Sequence, residues 1–213
     1  MSLLKDKEKA KEIIKILKKR YGKEIPLYLT YHKNKPYEFL FSVIMSAQCT
    51  DVRVNLVTKD LYKKYDTLFK FAQAKLRDFE KDIHSVGFYH NKAKNIINCA
   101  NAIIDKYDGN IPKDFDELLK LPGVGRKTAS VVISHLYGIP AMAVDTHVAR
   151  ISEKIFKFNA KNVREIEEKL KKIVDKKYWE LWNTHIIALG REICIARKPK
   201  CDICPIYRIC KNK

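Results

Sequence analysis

Four cysteines near the end of the sequence place the strongest constraint on its fold. They are Cys194, Cys201, Cys204 and Cys210, and they follow the spacing C-x6-C-x2-C-x5-C. Four thiols gathered in so short a segment of a packed domain predict a metal centre. Structural zinc sites usually contain two C-x2-C pairs, whereas this segment has one such pair and two wider gaps. The spacing therefore favours a [4Fe–4S] cluster, and zinc is the alternative.

The segment between the first two cysteines is strongly basic. It contains Arg197, Lys198 and Lys200. If ligands held both ends of this loop, these side chains would be presented to a phosphate backbone. We therefore expect the metal centre to be structural and to position a basic loop that can contact phosphate.

The N-terminal segment gives the expected compartment. Residues from Leu3 to Tyr21 mix lysines with acids and lack the long apolar stretch of a secretory signal. We therefore expect a reducing cytoplasm, where cysteines stay reduced. No apolar run approaches the ~20 residues that cross a bilayer, so we expect no membrane association.

The charge balance points to the kind of partner. Of 213 residues, 43 are Lys or Arg and 25 are Asp or Glu, which gives a net charge of +18. So large an excess favours a polyanion, most commonly nucleic acid. A solvated lysine-rich surface is the alternative that charge alone leaves open.

Apolar residues recur at helical spacing through nearly the whole chain, without a clear series of alternating strands. The sequence therefore predicts an all-α fold. Pro36 can open one helix, Thr50 or Asp51 can cap the next, and Asp114 can cap a short one. The other predicted helices are a first helix up to Tyr21 and those over residues 91–107, 126–137, 146–156, 165–174 and 178–192.

The segment LPGVGRKT, residues 121–128, joins two of these helices through a very short turn. Gly123 and Gly125 allow positive φ and close approach of another backbone, and their amides lie at the start of the next helix. Val124 between them can anchor the turn in the core. The segment is either a helix-hairpin-helix element that binds phosphate or an ordinary tight turn, and the basic chain favours the first.

Two residues have the chemistry of a catalytic site. Lys127 lies in the first turn of a helix, where the dipole and neighbouring Arg126 disfavour its positive charge and so favour a nucleophilic amine. Its alternative role is a counter-charge to phosphate. Asp145 follows an apolar run and is either a plain helix N-cap or a carboxylate that accepts a proton.

Together these motifs resemble the endonuclease III family of DNA glycosylases, within the helix-hairpin-helix glycosylase superfamily. The resemblance covers almost the entire chain. It rests on residues 46–51, residues 87–89, the hairpin, residues 144–147, the interval from Lys127 to Asp145 and the cysteine spacing. It implies two helical domains with a DNA-binding cleft between them. One is a six-helix bundle of residues 29–139, and the other joins residues 1–28 to residues 140–213 and carries the cluster.

The resemblance also implies a reaction. The enzyme would remove oxidised pyrimidines from damaged double-stranded DNA in base excision repair and then cleave the strand, as a monomer in a prokaryotic cytoplasm. Lys127 would attack C1′ and form a Schiff base, Asp145 would assist it, and Arg126 with the hairpin glycines would contact DNA. Gln48 would fill the vacated space, and Phe88 would act as a wedge where the family often has an aliphatic residue.

Three alternatives remain at this point. Superfamily members that excise adenine or mismatched thymine place Ser or Tyr at the position of Lys127. A non-catalytic DNA-binding protein would need neither Lys127 nor Asp145. Gln48 could be a plain surface residue, and Phe88 a core residue.

Overall fold

The structure of the protein is a computed structural model that describes residues 3–22 and 29–211. These residues form twelve α-helices and no β-strand, which confirms the predicted all-α class. The helices are α1 (Leu3–Tyr21), α2 (Pro36–Met45), α3 (Asp51–Lys64), α4 (Leu68–Ala72), α5 (Leu76–Ile83), α6 (Tyr89–Tyr107), α7 (Phe115–Leu119), α8 (Arg126–Tyr137), α9 (Thr146–Phe156), α10 (Val163–Ile173), α11 (Trp179–Glu192) and α12 (Tyr207–Lys211). Within the described ranges, no helix is both long and apolar enough to cross a bilayer.

The helix starts follow the capping chemistry of the sequence. Thr50, rather than Asp51, caps α3, because its side chain accepts a hydrogen bond from the Arg53 amide at 3.3 Å. Asp114 caps α7 in the same way, with two backbone amides donating to its Oδ1. Pro36 occupies the first turn of α2, as predicted.

Residues 29–139 form one compact unit that contains α2 to α8. The unit has seven α-helices and one short 3-10 helix among its described residues, where the resemblance implies six helices, and two of the seven α-helices have only five residues. Its core is aromatic. Phe71 is fully buried and its ring lies 4.9 Å from that of Phe41 and 5.9 Å from that of Phe79. The 19-residue α6 lays a buried stripe along this core.

Residues 3–22 and 140–211 form the other compact unit, with α1 and α9 to α12. The face of α1 predicted to be apolar is buried at Ala10, Ile13 and Leu17. It packs against α10 and α11, around the buried indole of Trp182. The Lys9 ammonium adds a polar tie, since it donates to the Ile155 carbonyl at 2.7 Å.

Candidate functional site

The hairpin between α7 and α8 has the backbone that its glycines predict. Gly123 has a φ of +79°, and a Cβ there would lie 2.8 Å from the Asn95 Cβ. Only glycine suits this position, on both conformational and steric grounds. Val124 is 7% exposed and its amide donates to the Leu121 carbonyl at 3.1 Å. The turn is therefore anchored in the core by Val124, as expected.

Gly125 is glycine for a different reason. It is the N-cap of α8, with an ordinary φ of −89°. A Cβ there would have no atom of the described residues within 4 Å. Neither packing nor backbone strain inside the described chain requires glycine here. An exposed glycine at the start of a 12-residue helix leaves the backbone amides open to close approach by an anion.

Two cations follow directly on this cap. Arg126 is half-buried, with its guanidinium 5.1 Å from the centre of the Phe115 ring on α7. Lys127 is exposed in the first turn of α8. The structure thus brings Gly123, Gly125, Arg126 and Lys127 together at one end of α8. A lysine is a poor choice for helix stability at this position, because the dipole opposes its charge.

Asp145 is the N-cap of α9. Its Oδ1 accepts hydrogen bonds from the His147 and Val148 amides, both at 2.9 Å. The preceding residues 141–144 are buried, and the Asn183 side chain donates to the Ala141 carbonyl at 3.2 Å. The capping interpretation of Asp145 is therefore confirmed. The two amides also fix the orientation of the carboxylate, which is compatible with a chemical role.

Gln48 and Phe88 share an unusual backbone conformation. Their φ angles are 54° and 49°, in the left-handed region of backbone space that residues other than glycine rarely adopt. Gln48 is exposed, and Phe88 is 66% exposed. The alternative that Phe88 is a core residue is therefore wrong. Strained, exposed residues of this kind are typical of binding sites.

The sequence interpretation missed Lys92, which is only 6% exposed. Its Nζ donates to the Met45 and Val86 carbonyl oxygens, both at 2.8 Å. Burial lowers the pKa of Lys92, and nearby Cys49 opposes this effect. The available signal was the position of Lys92 four residues before Ile96, on the apolar stripe of α6.

The four C-terminal cysteines line a single cavity of about 70 Å³. Its other walls include apolar side chains such as Ile151 and Leu189. Burial raises the pKa of the Cys204 and Cys210 thiols, so these sulfurs become thiolates most readily when metal ions accept their charge. Among the described residues, no three His, Cys, Asp or Glu side chains are close enough to hold one metal ion.

A cation beside this cavity favours a negatively charged centre. Arg150 donates a long hydrogen bond of 3.6 Å to the Cys194 Sγ, a contact that the sequence interpretation missed. The Lys200 amide donates to the Ile193 carbonyl at 2.9 Å and closes the basic loop. The three cationic side chains of that loop, Arg197, Lys198 and Lys200, are exposed.

Comparison with known proteins identifies the family. Residues 41–176 match the HhH-GPD superfamily of base excision DNA repair proteins, and residues 194–210 match the iron-sulfur binding domain of endonuclease III. Endonuclease III of Bacillus subtilis (strain 168) is 45% identical over 182 residues, which cover 85% of this chain and 83% of that protein. The chain belongs to the endonuclease III family.

Two further comparisons extend the match over nearly the full length. Endonuclease III of Synechocystis sp. is 43% identical over 207 residues, or 97% of this chain and 93% of that protein. A solved structure of a trapped covalent intermediate of endonuclease III with DNA, an estranged-adenine complex, superimposes with a TM-score of 0.89. It is 42% identical and covers 96% of this chain and 95% of that chain.

The predicted family, enzyme class and cofactor are therefore confirmed. This member of the endonuclease III family is a DNA glycosylase with AP lyase activity that acts in base excision repair. DNA is its partner, and its cofactor is a [4Fe–4S] cluster. The alternatives of a zinc site and of a non-catalytic DNA-binding protein are wrong.

Proposed function

We propose that this enzyme removes oxidised pyrimidines from damaged double-stranded DNA and then cleaves the strand 3′ to the lesion. It would act as a monomer in a prokaryotic cytoplasm. The observation that carries the proposal is Lys127, exposed in the first turn of the helix that follows the hairpin. A relative has been trapped as a covalent intermediate with DNA, which supports a nucleophile on the protein.

Lys127 would act on a nucleotide rotated out of the base stack. Its neutral amine attacks C1′, the C1′–N bond breaks, and the base leaves with the bonding electrons. Loss of a proton from the nitrogen and opening of the sugar ring give a Schiff base. The Schiff base acidifies the C2′ protons, and loss of one of them expels the 3′ phosphate by β-elimination.

Asp145 would support the first of these steps. Its carboxylate accepts the proton that the attacking amine loses and stabilises positive charge at C1′. The two amide hydrogen bonds of the α9 cap hold the carboxylate in one orientation. Preorganised charge of this kind needs little rearrangement during the reaction.

The backbone of the DNA would be held without sequence readout. The amides of Gly123 and Gly125 would bind a phosphate oxygen, and Arg126 would add charge beside them. Gln48 would occupy the space left by the flipped nucleotide, and Phe88 would separate neighbouring base pairs as an aromatic wedge. Their exposure and left-handed backbones support these two roles.

We also propose the four C-terminal cysteines as the cluster ligands, which their common cavity supports. When bound, the cluster supplies iron–thiolate bonds that link both ends of the basic loop. Arg197, Lys198 and Lys200 would then contact DNA phosphates. The two compact units support a division into domains of residues 29–139 and residues 1–28 with 140–213.

A panel of duplexes tests the substrate proposal. Each duplex carries one oxidised pyrimidine, one oxidised purine or one thymine–guanine mismatch, and an undamaged duplex completes the panel. We expect release of the oxidised pyrimidine with strand cleavage, and no release of mismatched thymine. Lys127→Ala should lose the activity, whereas Lys120→Ala, an exposed lysine on the same hairpin, should keep it. Preferential release of mismatched thymine would contradict the proposal.

A further inference from the structure

The buried ammonium of Lys92 lies between two loops that the proposed function uses. One is the Gln48 loop, residues 46–50, which follows the end of α2 at Met45. The other is the Phe88 loop, residues 86–88, which precedes α6. Lys92 donates to the last carbonyl of α2 and to the first carbonyl of the Phe88 loop, at 2.8 Å in both cases. One side chain therefore connects the start of the Phe88 loop to the helix end from which the Gln48 loop continues.

A charged group is an expensive way to fill a core position. Burial of an ammonium costs free energy unless hydrogen bonds compensate it, and an aliphatic side chain would suit this stripe of α6 better. The two carbonyl acceptors provide that compensation, and the Met45 carbonyl lies at the negative end of the α2 dipole. Lys92 lies 47 positions from Met45 and six positions from Val86 in the sequence. Neither contact is a bond within α6, so the two contacts fix the geometry around the helix rather than the helix itself.

We propose that Lys92 is a positioning residue that couples the Gln48 loop to the Phe88 loop, so that both side chains enter the DNA as one rigid unit. This inference rests on the proposed function of Gln48 and Phe88. The left-handed residues in both loops make such support necessary, because strained backbones persist only where the surroundings hold them. Lys92 itself touches no reacting atom in this mechanism.

The test compares the same chemistry on two substrates. An abasic site in a duplex requires insertion into the stack opposite a partner base, whereas an abasic site in a single strand does not. Both require the same attack by Lys127 on C1′. The measured quantity is the ratio of the strand-cleavage rate on the duplex to that on the single strand, for the enzyme with its cluster bound.

Lys92→Met removes the ammonium that donates both hydrogen bonds, while nearly keeping the length and volume of the side chain. We expect this variant to lower the duplex-to-single-strand ratio by about tenfold, since misplacement by about 1 Å has effects of this size or larger. The single-strand rate should change little. Lys92→Arg, which keeps a charged donor, should recover part of the ratio. Gln48→Ala and Phe88→Ala should each lower the duplex-to-single-strand ratio. When either is combined with Lys92→Met, the ratio should fall by less than the product of the two single fold-changes.

A purely structural role would lower both rates by the same factor and leave the ratio unchanged, which would overturn the proposal. If Lys92→Met does not fold, amide hydrogen exchange is instead measured on Lys92→Gln and compared with the unmodified enzyme. We then expect faster exchange in residues 46–50 and 86–88 together, and acceleration in only one loop would overturn the coupling. A failure of the proposed roles of Gln48 and Phe88 is separate, because Gln48→Ala and Phe88→Ala would then leave the ratio unchanged.

Discussion

At the scale of single residues, several side chains combine a folding task with the proposed chemistry. Asp145 caps α9 and is also the proposed proton acceptor. Gly123 adopts a positive φ and leaves room for the nearby Asn95 side chain, and its amide is also a proposed phosphate ligand. A substitution at either position therefore alters stability and activity together. Variants that separate the two effects are the informative ones.

His185 predicts a pH dependence of stability. It is buried on α11, and its ring nitrogens contact the Gly22 carbonyl and the Thr184 hydroxyl, both at 3.0 Å. Burial lowers the pKa of His185 below its ordinary value of 6.5, against the opposing effect of the Gly22 carbonyl. Because the unfolded chain takes up the proton first, the folded state loses stability as the pH falls below 6.5 towards the lower folded pKa.

Thermal melting of the cluster-bound protein measures this effect. We expect the melting temperature to fall between about pH 7.5 and about pH 5.5, by roughly 3 °C for each kcal/mol of stability lost. His185→Gln should reduce the fall, and His84→Gln, at an exposed histidine, should not. An identical fall in His185→Gln would show that other groups cause it.

At the scale of elements, the hairpin allows binding and stability to be separated. Serine is a favoured N-cap, and Gly125 has an ordinary N-cap conformation with open space at its Cβ within the described chain. Gly125→Ser should therefore leave the melting temperature unchanged or higher. The added atoms should obstruct the phosphate and weaken DNA affinity by about tenfold, or about 1.4 kcal/mol.

Gly123→Ala is the matched comparison for this hairpin. Its Cβ clashes with Asn95 and its φ is positive, so we expect the melting temperature itself to fall. Melting curves and a DNA-binding titration of both variants provide the measurement. Unchanged affinity in Gly125→Ser would exclude close approach of DNA to this cap.

The cluster segment gives a second prediction at this scale. Cys204→Ser removes one proposed ligand, and we expect loss of the broad absorption near about 400 nm that iron–sulfur ligation produces. DNA affinity should also fall by about tenfold or more, because loss of the cluster would release both ends of the basic loop. Cys49→Ser, at a half-buried cysteine in the other unit, should keep the absorption. Full absorption in Cys204→Ser would remove Cys204 from the ligand set.

The helices differ in how well the sequence predicted them. The sequence predicts α1 to α3, α6 and α8 to α11 because each has at least ten residues and recurring apolar positions, and it predicts the five-residue α7 from its Asp114 cap. It did not predict α4, α5 or α12. Two of these have five residues, too few for a period of 3.6 to repeat, and α5 buries only Phe79 and Ile83. Tertiary packing rather than local pattern decides such short elements.

At the scale of the whole molecule, the charge predicts how DNA binding responds to salt. A net charge of +18 and several exposed lysines imply many phosphate contacts. We expect the logarithm of the affinity to fall linearly with the logarithm of the salt concentration. Lys198→Ala should reduce the magnitude of this log–log slope by about one, and it should weaken binding to damaged and undamaged duplexes alike. An unchanged slope would remove Lys198 from the contacts.

The candidate site was only partly predictable. Lys127, Asp145 and the cysteines belong to short motifs, so local sequence is enough to single them out. Lys92 and Arg150 are different, because their partners lie 47 and 44 residues away and no local pattern encodes such contacts. The left-handed backbones of Gln48 and Phe88 were also unpredictable, because tertiary contacts rather than residue type impose them.

The central claim is that Lys127 forms the covalent bond to the sugar. Borohydride reduction of the enzyme on an abasic duplex, followed by mass spectrometry of the cross-linked peptide, tests it most directly. We predict that the sugar remnant is attached to Lys127, and that Lys127→Ala gives no cross-link although it binds the duplex within about threefold of the unmodified enzyme. Lys120→Ala should cross-link fully. A remnant on another residue, or a persistent cross-link in Lys127→Ala, would contradict the account.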